Sequence, residues 1–141
     1  MEGRPEGYAP EPRLILVDSS VWIDFFSSAP GPASDELAKL IEHLEPLALT
    51  GAVVTEVLQG LTRDARLVES YLAQVKMLEP QGFSVYRNAA TIYRTARSKG
   101  ISLATVDVLI AAVALEHDAA VFTLDKDFSH IARITNLRLH E

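Results

Sequence analysis

The sequence predicts an α/β fold: a single domain in which helices sandwich a mostly parallel central sheet. Three observations predict it. Two short apolar runs rich in branched side chains, residues 14–17 (LILV) and 119–124 (AAVFTL), suit strands buried on both faces. Between them, apolar residues recur at i, i+3, i+4 and i+7, the spacing of one buried helix face. Strands alternating with helices favour a parallel sheet, and 141 residues suit one domain with its own core.

The first thirteen residues hold three prolines, two glycines and no periodic pattern, so 1–12 is expected as a flexible tail and 13–141 as the domain. The run 14–17 forms the first strand, with Asp18 at its C-terminal end. Ser19 and Ser20 offer hydroxyl caps for a helical turn through VWIDFF, which the breaker cluster 27–32 stops. The aromatic pair Phe25 and Phe26 can serve a protein contact or fill the core, and the core is the preferred assignment. Ser34 looks like the next N-cap, ahead of a helix face made by Leu37, Leu40, Ile41 and Leu44, and Pro46 ends that helix. Residues 47–49 supply a short strand. Thr50 and Gly51 then lead into a helix over 53–61 that buries Val53, Val54, Val57, Leu58 and Leu61 and leaves Glu56 on its other side.

From Asp64 to about Leu78, the positions Leu67, Val68, Tyr71, Leu72 and Val75 mark another amphipathic helix, closed by 80–82. Ser84 is placed to cap a helix carrying Ala89, Ala90, Ile92, Tyr93 and Ala96. Gly100 suits its C-terminal glycine, and Arg87, Arg94, Arg97 and Lys99 its polar face. Residues 103–115 are nearly all apolar and too many for an ordinary strand, so they read as a buried helix with Asp107 as its one charge. The strand over 119–124 ends in Asp125. Asp127 and Phe128 follow in a turn, and 137–139 is expected as a last edge strand. There is no internal repeat and no sign of a second domain.

Composition narrows the function. With 48% hydrophobic and 23% charged residues, the chain has the make-up of a soluble globular protein. No apolar run approaches the ~18 to 20 residues that cross a bilayer, and the N-terminus lacks the apolar segment of a signal peptide, so a cytoplasmic location is expected. The absence of cysteine excludes disulfides, zinc–thiolate and iron–sulfur sites and thiol catalysis, leaving oxygen or imidazole to hold any metal. A formal charge of −6 argues against nucleic-acid binding by bulk attraction, though not against nucleic acid handled through a cation.

In open α/β sheets ligands settle beyond the carboxyl ends of the strands, and two strands here end in a carboxylate, Asp18 and Asp125. Either alone is an ordinary turn former or helix cap; the pair is more suggestive. Asp107 sits in an apolar helix and must be protonated, capped or neutralised by a cation, unless it merely faces the helix dipole from the first turn after Thr105. Glu56 shares a plausible solvated face with Thr55, Gln59 and Arg63, yet its helix leaves the same sheet and could point back over the same edge. Four carboxylates converging in one cleft cannot all ionise without a counter-charge. A hard divalent cation, Mg²⁺ or Mn²⁺, supplies it and suits phosphodiester hydrolysis.

At these residues the chain resembles a known family. The blocks LILVDSSVWIDFF, TEVLQGL, SLATVDVLIAAVAL and VFTLDKDF occur in the order found in PIN-domain nucleases, and most closely resemble the VapC-type toxins of bacterial toxin–antitoxin pairs. The likeness runs from about Arg13 to the C-terminus. It implies that Asp18, Glu56, Asp107 and Asp125 are the catalytic quartet, binding one or two Mg²⁺ or Mn²⁺ ions for cleavage of RNA. Asp127 is implied as a further metal ligand, direct or through water, and Ser20 and Thr123 as hydrogen-bond donors behind the ligands. The implied mechanism is attack of activated water on phosphorus, with inversion and no covalent enzyme intermediate. The family also implies homodimerisation and a small VapB-type antitoxin whose basic tail enters the acidic cleft.

Arg63, Arg66, Arg94 and Arg97, with Arg87, are candidate phosphate guides, the alternative for each being a solvated helix face. His43, His117, His130 and His140 share no spacing and are assigned to the surface. A receiver-like signalling domain would want paired acids after the first strand, where this chain has two serines. The remaining alternative is a non-catalytic α/β module that binds RNA or protein.

Overall fold

The computed structural model describes residues 13–141, so the expected tail over 1–12 lies outside the described residues. In chain order the elements are β1 (Ile15–Val17), α1 (Ser19–Phe25), α2 (Pro32–Glu42), β2 (Leu47–Leu49), α3 (Gly51–Gln59), α4 (Ala65–Leu72), β3 (Lys76–Met77), α5 (Phe83–Ser98), α6 (Thr105–Glu116), β4 (Ala120–Phe122) and α7 (Asp127–Ile134). The strands lie in the order β3-β2-β1-β4, all parallel. Ile15 pairs with Leu47 on one side and Ala120 on the other, which makes β1 central and explains why its residues are all apolar. Parallel strands share one C-terminal edge, so the residues after Val17, Leu49 and Phe122 all emerge there.

Trp22 anchors α1 beneath this edge. It is fully buried, and its indole N–H donates to the Val17 carbonyl at 3.2 Å. Phe25, Phe26 and Tyr71 surround it with ring centroids 6.2, 6.0 and 5.9 Å away, so the phenylalanine pair does pack on the core. Helix α6 is buried on nearly all sides, packed against α5, α7 and β4, which is why its sequence shows no polar stripe. Thr50 caps α3, accepting the Val53 N–H at 3.2 Å. Gly100 adopts φ +80 just past α5, the left-handed conformation that ends a helix, with its N–H bonded to the Arg97 carbonyl.

Several local expectations are corrected. The helix expected from 64 to about 78 stops at Leu72, and Lys76–Met77 is instead an edge strand. The open edge of β2 offers backbone partners to that segment, and Leu78 N–H donates to the Leu49 carbonyl at 2.8 Å. Asp127 and Phe128 begin helix α7 rather than occupying only a turn. The edge strand expected over 137–139 is a single parallel bridge between Val121 and Leu139. Ser34 does not cap α2, which starts at Pro32 after Gly31; its hydroxyl donates to Asp24, which also accepts the Gly31 N–H. Gly82, not Ser84, precedes α5. Leu44 lies beyond the end of α2 at φ 57 and is 90% exposed, so it does not extend that buried face. No helix among the described residues is long and apolar enough to cross a membrane.

Candidate functional site

Three connections leaving the sheet, together with the start of α6, deliver acidic side chains to its C-terminal edge. Asp18 follows β1 directly, and its N–H donates to the Phe122 carbonyl at 2.9 Å, which continues the ladder past the last strand residue. Glu56 stands in the second turn of α3, the helix that follows β2. Asp107 is in the first turn of α6. Asp125 and Asp127 follow β4, and Asp127 is the first residue of α7.

Asp107, Asp125 and Asp127 each place a carboxylate oxygen within 4.8 Å of the other two. Asp18 and Glu56 lie close enough to act on the same group. The Asp107 carboxyl is pushed from its ordinary 3.8 up to about 7, first by burial and then by the negative charge of Asp125, Asp18, Asp127 and Glu56. The helix-dipole alternative for Asp107 predicts the opposite, a carboxyl held acidic by the positive end of α6. Here desolvation and four like charges outweigh the dipole.

Hydroxyl groups hold the carboxylates in place. Ser20 and Thr123 both donate to Asp18 Oδ2 at 2.8 Å, which satisfies an almost fully buried carboxylate. The Thr123 hydroxyl also accepts the Asp125 N–H at 2.9 Å, so one side chain ties two strand ends together. Ser20 accepts the Leu124 N–H at 3.0 Å. Asp125 in turn accepts the Asp127 N–H at 2.9 Å, fixing the turn into α7. Ser19 therefore bonds a carboxylate in place of the helix cap expected of it, and Ser20 acts as the donor to Asp18 that the resemblance implies. The Ser19 hydroxyl donates to Glu56 Oε1 at 2.9 Å across 37 positions, a partnership no local signal announces.

The acidic set fits a hard cation. Its donors are all carboxylate oxygens, the chemistry that Mg²⁺ and Mn²⁺ select. Among the described residues no Lys, Arg or His forms an ion pair with any of the five. Five carboxylates without a basic partner, one of them forced toward its neutral form, make a site short of positive charge.

The expected guide residues are not drawn into this cluster. Arg63 lines a separate groove of about 520 Å³ with Ile23, Phe26, Val57, Leu61 and Leu67. None of the five carboxylates borders that groove. Arg66, Arg87 and Arg97 are exposed on α4 and α5. Arg94 lines a groove between α5 and α6 together with Thr105, which places it near the acidic end of α6. His117, His130 and His140 are half-buried, a departure from the surface placement expected, and none bonds to the cluster. His140 pairs instead with Glu36 at 2.9 Å.

The PIN domain family model matches residues 15–134, nearly the whole described chain. Ribonuclease VapC11 of Mycobacterium tuberculosis is 34% identical over 129 residues, which cover 89% of this chain and 96% of the relative. This chain belongs to the PIN-domain family, among its VapC ribonucleases. A VapC ribonuclease of Mycobacterium bovis matches this PIN domain to the same extent, 34% over 129 residues. Two solved structures share its fold. VapBC-1 from nontypeable Haemophilus influenzae has a TM-score of 0.72 at 20% identity, covering 91% of this PIN domain chain and 97% of the other. VapBC2 from Rickettsia felis, bound to a DNA fragment from its promoter, has a TM-score of 0.70 at 17% identity, covering 90% and 97%.

Proposed function

We propose that this chain is a Mg²⁺- or Mn²⁺-dependent endoribonuclease, the toxin half of a VapBC-type toxin–antitoxin pair acting in the cytoplasm. The observation that carries this is the trio Asp107, Asp125 and Asp127, with oxygens mutually within 4.8 Å and no basic partner among the described residues. Asp18, Asp107 and Asp125 would be the main metal ligands. Asp127 would bind directly or through water, and Glu56 would ligate or orient the attacking water. When bound, the cation supplies charge neutralisation at the scissile phosphate and activation of water.

The chain's own groups then have separable tasks. Ser20 and Thr123 keep the Asp18 carboxylate in one orientation. Asp107, partly buried among four other acids, holds its proton up to about pH 7 and gives it up more readily when positive charge arrives, which couples ion loading to the pH of the medium. Arg94 and Arg97, with Arg63 and Arg66, would hold the RNA backbone so that phosphate meets the acidic edge.

The relatives solved as VapBC complexes support a VapB-type antitoxin as partner. A basic segment of such a protein would offer the acidic edge the positive charge it lacks and so exclude both cation and RNA. Homodimerisation is proposed on the α5 face, where Phe83 and Tyr86 are 79% and 51% exposed beside the α5–α6 groove. Sedimentation of wild type against Tyr86→Glu tests it.

The deciding experiment incubates purified protein with defined RNAs and Mn²⁺, with and without chelator, beside Asp18→Asn and Asp107→Asn. Metal-dependent scission lost in both variants is the expected result. Equal cleavage by the variants would trace the activity to a contaminant, and binding without cleavage across many RNAs would favour the non-catalytic module.

A further inference from the structure

We infer that Ser19 is a positioning residue for Glu56, which deepens the hydrolase reading above and rests on it. Ser19 is the first residue of α1, and Glu56 lies in the middle of α3, 37 positions away. The Ser19 hydroxyl donates to Glu56 Oε1 at 2.9 Å, and it is the one side-chain donor that reaches Glu56 among the described residues. A glutamate has three rotatable side-chain bonds and, without such a tether, spreads over several rotamers.

The bond has two consequences at the acidic edge. It fixes one oxygen, Oε1, against α1 and leaves Oε2 without a donor among the described residues. It also divides labour within the tripeptide Asp18-Ser19-Ser20. Consecutive residues of a helix point about 100° apart. Ser20 therefore turns toward β4, where it bonds Asp18 and the Leu124 N–H, while Ser19 turns toward α3. Two adjacent hydroxyls thus orient carboxylates carried by different elements. Asp18 has a second donor in Thr123, whereas among the described residues Glu56 has Ser19 alone.

The test is a double-mutant cycle of Ser19→Ala and Glu56→Gln, with Ser19→Thr as the conservative variant, assayed by single-turnover cleavage at excess enzyme. Alanine favours the helix, so α1 is retained. The expected result is a loss of roughly tenfold in kcat for Ser19→Ala, the scale of one hydrogen bond to a charged group, with KM unchanged. Ser19→Thr should recover most of the rate, and Ser19→Ala should add no further loss in the Glu56→Gln background. Losses that multiply in the double variant would overturn the inference. The second readout needs no RNA: the carboxyl ¹³C resonance of Glu56 should move in Ser19→Ala and return in Ser19→Thr. If wild type cuts no RNA, the hydrolase reading fails and this resonance alone decides whether Ser19 orients Glu56. An unmoved resonance sinks the proposal in either case.

Discussion

Asp107→Asn should stabilise the metal-free protein at alkaline pH even as it removes activity. The folded Asp107 carboxyl titrates at about 7 against 3.8 for an ordinary Asp, so between those values the folded chain holds a proton that the unfolded chain has released. Asp107 therefore contributes stability that is complete below about pH 4 and is lost as the pH rises through about 7. For a fully buried group the gap corresponds to about 4 kcal/mol. Asp107 is only partly buried, and screening by solvent reduces the effect to roughly 1–2 kcal/mol. Asparagine has the shape of the protonated acid and carries no charge, so it escapes the penalty. In a domain of this size the gain is worth roughly 4–8 °C in Tm at pH 8. The assay is calorimetric melting of chelated wild type and variant from pH 4.5 to 8.5. The two curves should converge toward the acid end, draw apart steadily as the pH rises from about 4 to about 7, and run parallel above that. Saturating Mn²⁺ should then raise the wild type and leave the variant nearly unmoved, since a ligand stabilises only the form that binds it. A Tm difference independent of pH, or a variant less stable than wild type at pH 8 without metal, would refute the electrostatic account of the site.

Other outcomes follow from single contacts. Thr123→Val removes a donor to the buried Asp18 carboxylate and the acceptor of the Asp125 N–H, and should cost about 2 kcal/mol in urea unfolding, whereas Thr123→Ser should cost much less. Trp22→Phe leaves the Val17 carbonyl without its indole donor and a gap between Phe25, Phe26 and Tyr71. It should lose about 2 kcal/mol by the same measurement. Gly100→Ala should lose about 1 kcal/mol. A Cβ there meets nothing within 4 Å, so the loss comes from the φ of +80 and not from a clash. Arg94→Gln with Arg97→Gln should raise KM for RNA several-fold, leave kcat near wild type and flatten the dependence of KM on salt.

The buried strands were legible because a strand covered on both faces must be apolar at every position, and LILV and AVF are. The caps were less so. Ser19, Ser20, Ser34 and Ser84 all sit where a hydroxyl commonly caps a helix, yet none does, because a carboxylate or a neighbouring glycine competes for the role. The segment VKML after α4 fits a helix face as well as a short strand. The vacant edge of β2 chose the strand. Helix α7 is not legible in the sequence because its two buried residues, Phe128 and Ile131, are too few to establish a period.

For the site, chain order and residue type were sufficient to name the acids, since carboxylates at strand ends and in apolar helices are conspicuous in one dimension. What distance along the chain could not express was which oxygens meet. Asp127 joins Asp107 and Asp125 in the tight group, and Ser19 rather than a neighbour in sequence bonds Glu56. Those pairings depend on the twist and register of a parallel sheet and on where its following helices start. Burial then moves the Asp107 carboxyl to about 7, a value that belongs to the folded arrangement of five charges and to no residue alone.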